Sequence, residues 1–423
     1  MKVKRITAFL LSLFIIIFSG CTENKVVNEK PEDIIGGKIT IWSDKESLQI
    51  LKLSIDSFKK LHNKADIKLQ EIDNENLYLE LKKAVDSSNA VPDIIVAGDE
   101  EIQLLLKNYS KNFMDTSSII KKENYLRYKT DNVTKDGKLL GIPLNCNPAV
   151  LMYRKDILSS AGINPEYIKT WTDLIASGQT IFQKQKINML AAHLNEESTY
   201  RMFLNQLGAS YFDKSGNVTV NSPEAVKAAD MLKLLFTQGT IQNVNAAVNV
   251  ADLLKQGKTA AVITDYEEAS KFVKTCPELK DKLGVMKLPA FEEGGNQGIN
   301  LGGDNLLLLS STADKTLTTE FSKFLTEDRD NLKMLLKEGA MFPANTSFYD
   351  EAWFSKKEPY FGDIKLWKLL SENAQDMYGI NYSENFSVVA PAIQDILQTI
   401  IIKGNDSKAA LEDLEKKFQI VKG

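Results

Sequence analysis

Strand-like and helix-like hydrophobic periods alternate at the start of this chain, and that alternation limits its fold more sharply than any other feature. Lys38-Ile39-Thr40-Ile41-Trp42 alternates polar and apolar residues, the period of a half-buried strand. Leu48, Leu51, Ile55, Phe58 and Leu61 then recur at three- and four-residue steps, as on one face of a helix. Ile67 to Ile72 reads as a second strand, Leu77, Leu81 and Val85 mark a second helix, and Pro92 to Ala97 is a strand apolar enough for burial on both faces. This β-α-β-α-β order predicts an α/β body with largely parallel sheets, whose ligand crevice lies beyond the carboxyl ends of the strands. Further on, Ser222-Pro223-Glu224 has the capping serine and first-turn proline of a helix start. Thr259 to Thr264, Leu283 to Met286 and Leu306 to Leu309 read as strands, the last followed by an amphipathic helix around Phe321, Phe324 and Leu325.

The N-terminus is read as a processing signal and not as part of the fold. Lys2, Lys4 and Arg5 precede an apolar run from Ala8 to Phe18, then Ser19-Gly20-Cys21. The run is shorter than the roughly 20 apolar residues of a membrane span. Small residues before a cysteine resemble a lipobox, with residues 1–20 as a lipoprotein signal peptide and Cys21 as the lipidated mature terminus. Residues 21–37 are polar, include Pro31 and Gly36-Gly37, and read as a flexible tether. The roughly 385 residues that follow exceed one ordinary core, so two lobes are expected.

Charge and motifs exclude several functions. Removing the three signal cations from the formal net charge of −4 leaves −7, and no Lys/Arg stripe stands out, so no nucleic-acid partner is expected. Nucleotide, dinucleotide, zinc-protease and nucleophile-elbow motifs are all missing. The two histidines, His62 and His193, have no second ligand at metal spacing, so no metal and no cofactor are expected. Beyond Cys21 only Cys146 and Cys276 remain, which leaves a bridge or two isolated buried thiols. A hydrolase using a carboxylate pair is not excluded by motif, because the chain has 56 acidic residues.

One stretch carries a family likeness. Lys138 to Trp171 contains Gly141-Ile142-Pro143-Leu144-Asn145, then Leu151-Met152-Tyr153-Arg154-Lys155-Asp156-Ile157, Ala161-Gly162-Ile163-Asn164-Pro165-Glu166 and Thr170-Trp171-Thr172-Asp173-Leu174. This string resembles the extracellular solute-binding proteins of ABC importers, the branch with the maltose-binding proteins most of all. The resemblance runs from Lys38 into the last helices. It implies a two-lobed, type II periplasmic-binding-protein-like fold with interleaved lobes and a hinge. One lobe would hold 38–146 and 301–346, the other 147–300 and 347–423. It implies a lipid-anchored monomer on the outer face of the cytoplasmic membrane, which passes a solute to the transmembrane subunits of a permease with an associated ATPase and is itself no enzyme. A sensor that hands its solute to a membrane receptor would share this sequence.

The resemblance also nominates residues. Trp42, Asp44 and Lys45 match a turn in which an aspartate and a lysine bind sugar hydroxyls, although Asp44 equally suits a helix cap. Asp99 matches a sugar-binding aspartate after a strand end. Glu100 beside it departs from the maltose pattern, which has a cation there. Asn147 stands near where related proteins place a carboxylate, Glu196 and Tyr200 where they place an acid and aromatics. Gly257 to Tyr266 resembles a strand and its ligand-facing loop, with Asp265 and Tyr266 at the tip and Glu267 next. Asp304 follows Gly302-Gly303 at the return crossover, and Phe386 falls near a late aromatic wall, whereas Trp171 is assigned to packing. The resulting lining suits a sugar, with hydroxyls to planar polar groups and ring faces to aromatics. Its acidity leaves an amino sugar, a polyamine or another cationic solute open.

Overall fold

The computed structural model describes residues 35–87, 91–193, 196–245, 247–338 and 341–421, with side chains described as far as residue 419. The signal peptide, Cys21 and most of the tether lie outside the described residues. Residues 35 onward form one compact unit.

The opening alternation folds as its periods predict. Strand Gly36–Ser43 is followed by helix Ser47–Leu61, strand Lys64–Glu71, helix Asn74–Ser87 and strand Ile94–Gly98. The first helix buries Leu48, Leu51, Ile55 and Phe58 on the sheet, while Leu61 at its end is exposed. These three strands run parallel, in the order Lys64–Glu71, Gly36–Ser43, Ile94–Gly98. Asp304–Leu308 then adds antiparallel to Ile94–Gly98, and Ile142–Pro143 adds antiparallel to it, which completes a five-stranded sheet.

A second sheet has Val150–Arg154 at its centre, flanked by Ala261–Thr264 and Leu283–Met286, both antiparallel to it. The largely parallel sheets expected from sequence therefore hold for residues 36–98 and fail here. A strand period fixes which face is buried, and it carries no information on the direction of the neighbouring strand. Helix Trp171–Gln185 opens with a capping box between Thr170 and Asp173, and Trp171 is fully buried. Helix Pro223–Thr237 is capped by Ser222, whose hydroxyl accepts the Ala225 N–H at 3.1 Å.

Two hydrophobic cores underlie these sheets. One gathers Ile39, Ile41, Ile94 to Ala97, Leu306 to Leu309 and Phe321, and extends through Phe342 and Phe354 to Tyr266 and Phe272. The other gathers Leu151, Trp171, Leu174, Tyr200, Phe203, Leu232 and Ile393. Between them the chain crosses in segments laid side by side. Cys146 donates to Phe342 O at 2.9 Å, Asn147 to Gly302 O at 3.1 Å, Leu301 to Asn147 O at 2.9 Å, and Ala149 to Ile299 O at 3.0 Å. Cys146 and Cys276 are both buried free thiols. Among the described residues no helix is long and apolar enough to cross a membrane.

Candidate functional site

The carboxyl end of the five-stranded sheet is lined with side chains that accept hydrogen bonds. Asp44 leaves the first strand and caps the next helix, its Oδ1 accepting the Ser47 N–H at 2.8 Å, while its Oδ2 accepts from Asn74 at 3.0 Å. Ser47 in turn donates its hydroxyl to Asp304 Oδ2 at 2.9 Å. Asn145, on the first crossing segment, donates to the same Oδ2 at 3.3 Å and accepts the Asp304 N–H. Asp99 opens helix Asp99–Tyr109 and is 4 % exposed. Its Oδ1 meets Lys129 Nζ at 2.5 Å and Asn305 Nδ2 at 2.9 Å, whereas its buried Oδ2 has no hydrogen-bond partner. Glu101 folds back over the strand end, so that a side-chain carbon on Gly98 would stand 2.6 Å from its carboxylate and 4.0 Å from that of Asp304.

Crowding carboxylates out of water raises their pKa values. Burial, with Asp44 and Asp99 nearby, pushes Asp304 up to about 6, against the pull of Lys129 and the Ser47 hydroxyl. Burial, with Glu100, Asp304 and Asp99 beside it, takes Glu101 up to about 7. Burial thus favours the neutral form of both groups, and a neutral carboxyl donates a hydrogen bond where an ionised one only accepts. A polyol surface, which both donates and accepts, has a partner for each.

A second wall comes from the other half. Helix Ser198–Gln206 buries Thr199, Tyr200, Phe203 and Leu204, which turns Glu197 and Arg201 outward on the opposite face. Arg201 lies 3.5 Å from Glu197 and 5.2 Å over the Phe386 ring. Tyr211 stacks on Phe386 with planes 16° apart and donates its hydroxyl to Glu197, and Tyr382 meets Phe386 edge-on at 5.1 Å. The two walls sense each other: burial raises the pKa of Glu100, Arg201 opposite lowers it, and Glu197 raises it. Gln103 joins them directly, donating to Ile380 O and accepting the Tyr382 N–H, both at 2.8 Å.

Of the residues nominated from sequence, Asp44, Asp99 and Asp304 meet on this floor and Phe386 stands in the second wall. Asn147 lies in the crossing itself through its backbone, and it is Asn145 whose side chain joins the floor. Lys45 is exposed on the turn. Trp42 is 4 % exposed in the core, with its indole N–H on Gln70. Tyr200 is fully buried and donates to Ala225 O, so it packs and leaves no face for a solute. Tyr266 is 2 % exposed, with its hydroxyl on Leu336 O and its ring against Phe342 and Trp367, and Asp265 caps its helix by accepting the Glu268 N–H. Glu196 is exposed, one residue from the Glu197 that pairs with Arg201.

The residues missed were Ser47, Glu101, Lys129, Glu197, Arg201, Tyr211 and Tyr382. Glu197 and Arg201 carried a usable signal, since a four-residue step opposite an apolar face marks a helix's outer side. Lys129 carried none: a cation becomes buried through a partner distant in sequence. Among the described residues no group of three or more His, Cys, Asp or Glu side chains is placed to hold a metal ion.

Comparison with known proteins gives the family and the fold. The profile of the bacterial extracellular solute-binding proteins matches residues 42–331. The arabinooligosaccharide-binding protein of Bacillus subtilis (strain 168) is 23% identical over 360 residues, which cover 83% of this chain and 82% of the relative. The lactose-binding protein of Rhizobium radiobacter is 25% identical over 364 residues, 82% of this chain and 84% of that one. Among solved structures, the sugar-binding protein MalE of Xanthomonas citri superposes with a TM-score of 0.76 at 18% identity, over 90% of this chain and 96% of its own. That likeness establishes the two-lobed type II binding-protein fold.

Proposed function

Because the chain belongs to the bacterial extracellular solute-binding proteins, we propose that it is the substrate-binding component of an ABC importer, capturing a carbohydrate between its lobes and delivering it to a membrane permease. The lobes are 38–146 with 301–346, and 147–300 with 347–423, hinged where the crossing segments run together. The mature chain is a monomer held through Cys21 by lipid on the outer face of the cytoplasmic membrane, and it binds without catalysing. The arabinooligosaccharide- and lactose-binding relatives support a carbohydrate solute.

One observation carries the reading. On one side of the seam that Gln103 bridges stands a floor of mixed carboxyl, amide and hydroxyl groups at the strand ends, from Asp44, Ser47, Glu101, Asn145 and Asp304, and on the other a wall in which Phe386 is backed by Tyr211 and edged by Tyr382. Floor and wall come from different lobes, so a bound solute would bias the closed arrangement through contacts that only this arrangement offers.

The test is thermal unfolding of the mature chain with a panel of mono- and oligosaccharides, amino sugars and polyamines. A ligand at 100 times its dissociation constant adds about 2.7 kcal/mol, a shift of a degree or more. A shift with saccharides supports the reading. A shift confined to amines would make the acidic floor the determinant and overturn the carbohydrate assignment. Release of product from a chromogenic glycoside would overturn the binding role in favour of a surface hydrolase.

A further inference from the structure

Five carboxylates meet one buried cation beside the crossing segments. Asp44 follows the first strand, Asp99, Glu100 and Glu101 fill the first turn of helix Asp99–Tyr109, and Asp304 begins its strand opposite Gly98. Lys129 is committed to Asp99, and Lys45 beside Asp44 is exposed on its turn. Ser47 and Asn145 face Asp304 as neutral donors. Tyr128, Cys146 and Tyr349 stand behind Lys129 and Asp99, and burial pushes the pKa of all three up, so they stay uncharged. From the opposite lobe, Arg201, Glu197 and Tyr382 face Glu100.

Closing the lobes over this floor sharpens its internal repulsion. Behind Glu101 and Asp304 the chain is sealed, with Ile102, Leu144 and Asn305 buried, while both carboxyls are only half-buried, so water reaches them from the cleft side. Excluding that water disfavours the charged forms of crowded carboxylates, and binding a proton relieves the conflict. A second observation points the same way. Asp99 Oδ2 is closed off from solvent and receives no hydrogen bond. An ionised neighbour has no donor to offer it, whereas a neutral carboxyl carries an O–H.

We propose that the hinge is proton-linked: closing the lobes takes up protons on Glu101 and Asp304, and opening returns them to water, so that acid holds the cleft shut and mild alkali loosens it. This rests on the hinge motion proposed above and on no particular solute. With the seam bridged, Glu101 stands at about 7 and Asp304 at about 6; readmitted water lets them fall toward 4.5 and 3.8. A group whose pKa is higher in the closed form favours closure in full below its open value and ceases to as pH rises through its closed value, which puts the working window between about pH 4 and pH 7. Each unit of difference between the two forms is about tenfold in the closing constant.

Small-angle X-ray scattering of the solute-free mature chain at about pH 5.5 and about pH 8 tests this. The wild type should have the smaller radius of gyration at the lower pH. The Glu101→Gln, Asp304→Asn double variant, whose amides imitate the neutral carboxyls, should keep the wild type's low-pH radius at both, once a melting curve shows it folded. Glu101→Gln alone should reduce the response, and it carries the test where the double variant does not fold. His62 and His193 are left intact in these variants, so a pH response that survives undiminished is not carried by the two carboxyls and overturns the proposal. A wild-type radius that ignores pH overturns it too. Gln103→Ala, which removes both hydrogen bonds across the seam, separates that failure from failure of the hinge. Expansion of this variant beside a pH-indifferent wild type leaves the hinge standing without its proton, and no expansion in either removes both.

Discussion

At the scale of single residues, the floor of the cleft is a problem of compensated charge. Asp99 and Lys129 form an ion pair with Asp99 4 % and Lys129 0 % exposed. Removing one partner from such a pair leaves a buried charge uncompensated, at a cost of about 3–5 kcal/mol. Lys129→Met should therefore lower stability in urea by that order, whereas Lys129→Met with Asp99→Asn should recover much of the loss. Equal destabilisation in the single and double variants would show that the pair does not act as a unit. Glu101 makes the opposite case. Its pKa in the folded protein, about 7, lies above the ordinary value of 4.5, so the folded state binds the extra proton. Stability from this group is full below about pH 4.5 and falls as pH rises toward 7. Glu101→Gln should accordingly melt higher than the wild type at pH 8, by a degree or more, and match it near pH 4. A wild-type advantage at pH 8 would mean that the ionised carboxylate is stabilised by its surroundings.

At the scale of elements, the crossing segments bind sequence to mechanism. Gly302 and Gly303 have φ of +113° and +137°, conformations that side-chain-bearing residues rarely adopt. They differ in surroundings. A side-chain carbon at Gly302 would meet nothing within 4 Å, but at Gly303 it would lie 2.5 Å from Asn145 O and 2.9 Å from Cys146 Cα. Gly302→Ala should cost only backbone strain, about 1–3 kcal/mol, and Gly303→Ala should cost more, because the adjacent crossing segment must also move. Equal midpoints in urea would refute a close-packed hinge. The strand order 36–98 was visible in the sequence, because it depends on local residue type and period. The crossover at Gly302-Gly303 and the nomination of Asp44, Asp99 and Asp304 came instead from the family resemblance, and the structure puts the three aspartates at the ends of neighbouring strands. The second wall was not legible. Glu196 and Tyr200 were each named one residue away from Glu197 and Arg201, because the phase of a short helix is fixed by the core it covers, here Phe203 and Leu204 against Trp171 and its neighbours. The direction of the strands around Val150–Arg154 was hidden too, since it depends on how the chain returns across the hinge and not on the strands themselves.

At the scale of the whole molecule, the question is what holds the lobes together. Helix Asp99–Tyr109 presents Glu100, Gln103 and Lys107 at steps of three and four, on one face, and each meets the opposite lobe: Arg201, the 380–382 backbone and Glu384. Gln103 contributes most to specificity, because a single amide satisfies one backbone carbonyl and one backbone N–H across the seam. Two neutral hydrogen bonds contribute about 1–3 kcal/mol together, and the exposed Lys107–Glu384 pair adds about 1 kcal/mol at most. On the proposed hinge motion both would be lost as the seam opens, and together they would weigh on the open–closed balance without any solute. In the Gln103→Ala, Lys107→Ala double variant the solute-free protein should scatter X-rays with a larger radius of gyration than the wild type. Saturating saccharide should bring the two curves together, and the variant's affinity should fall about tenfold, since part of the solute's binding energy would then go into closing the seam. High salt should mimic only the smaller, ionic share of the effect. Identical scattering curves without solute would show that the crossing segments alone fix the angle between the lobes. In that case the helix face would have to act on the solute directly.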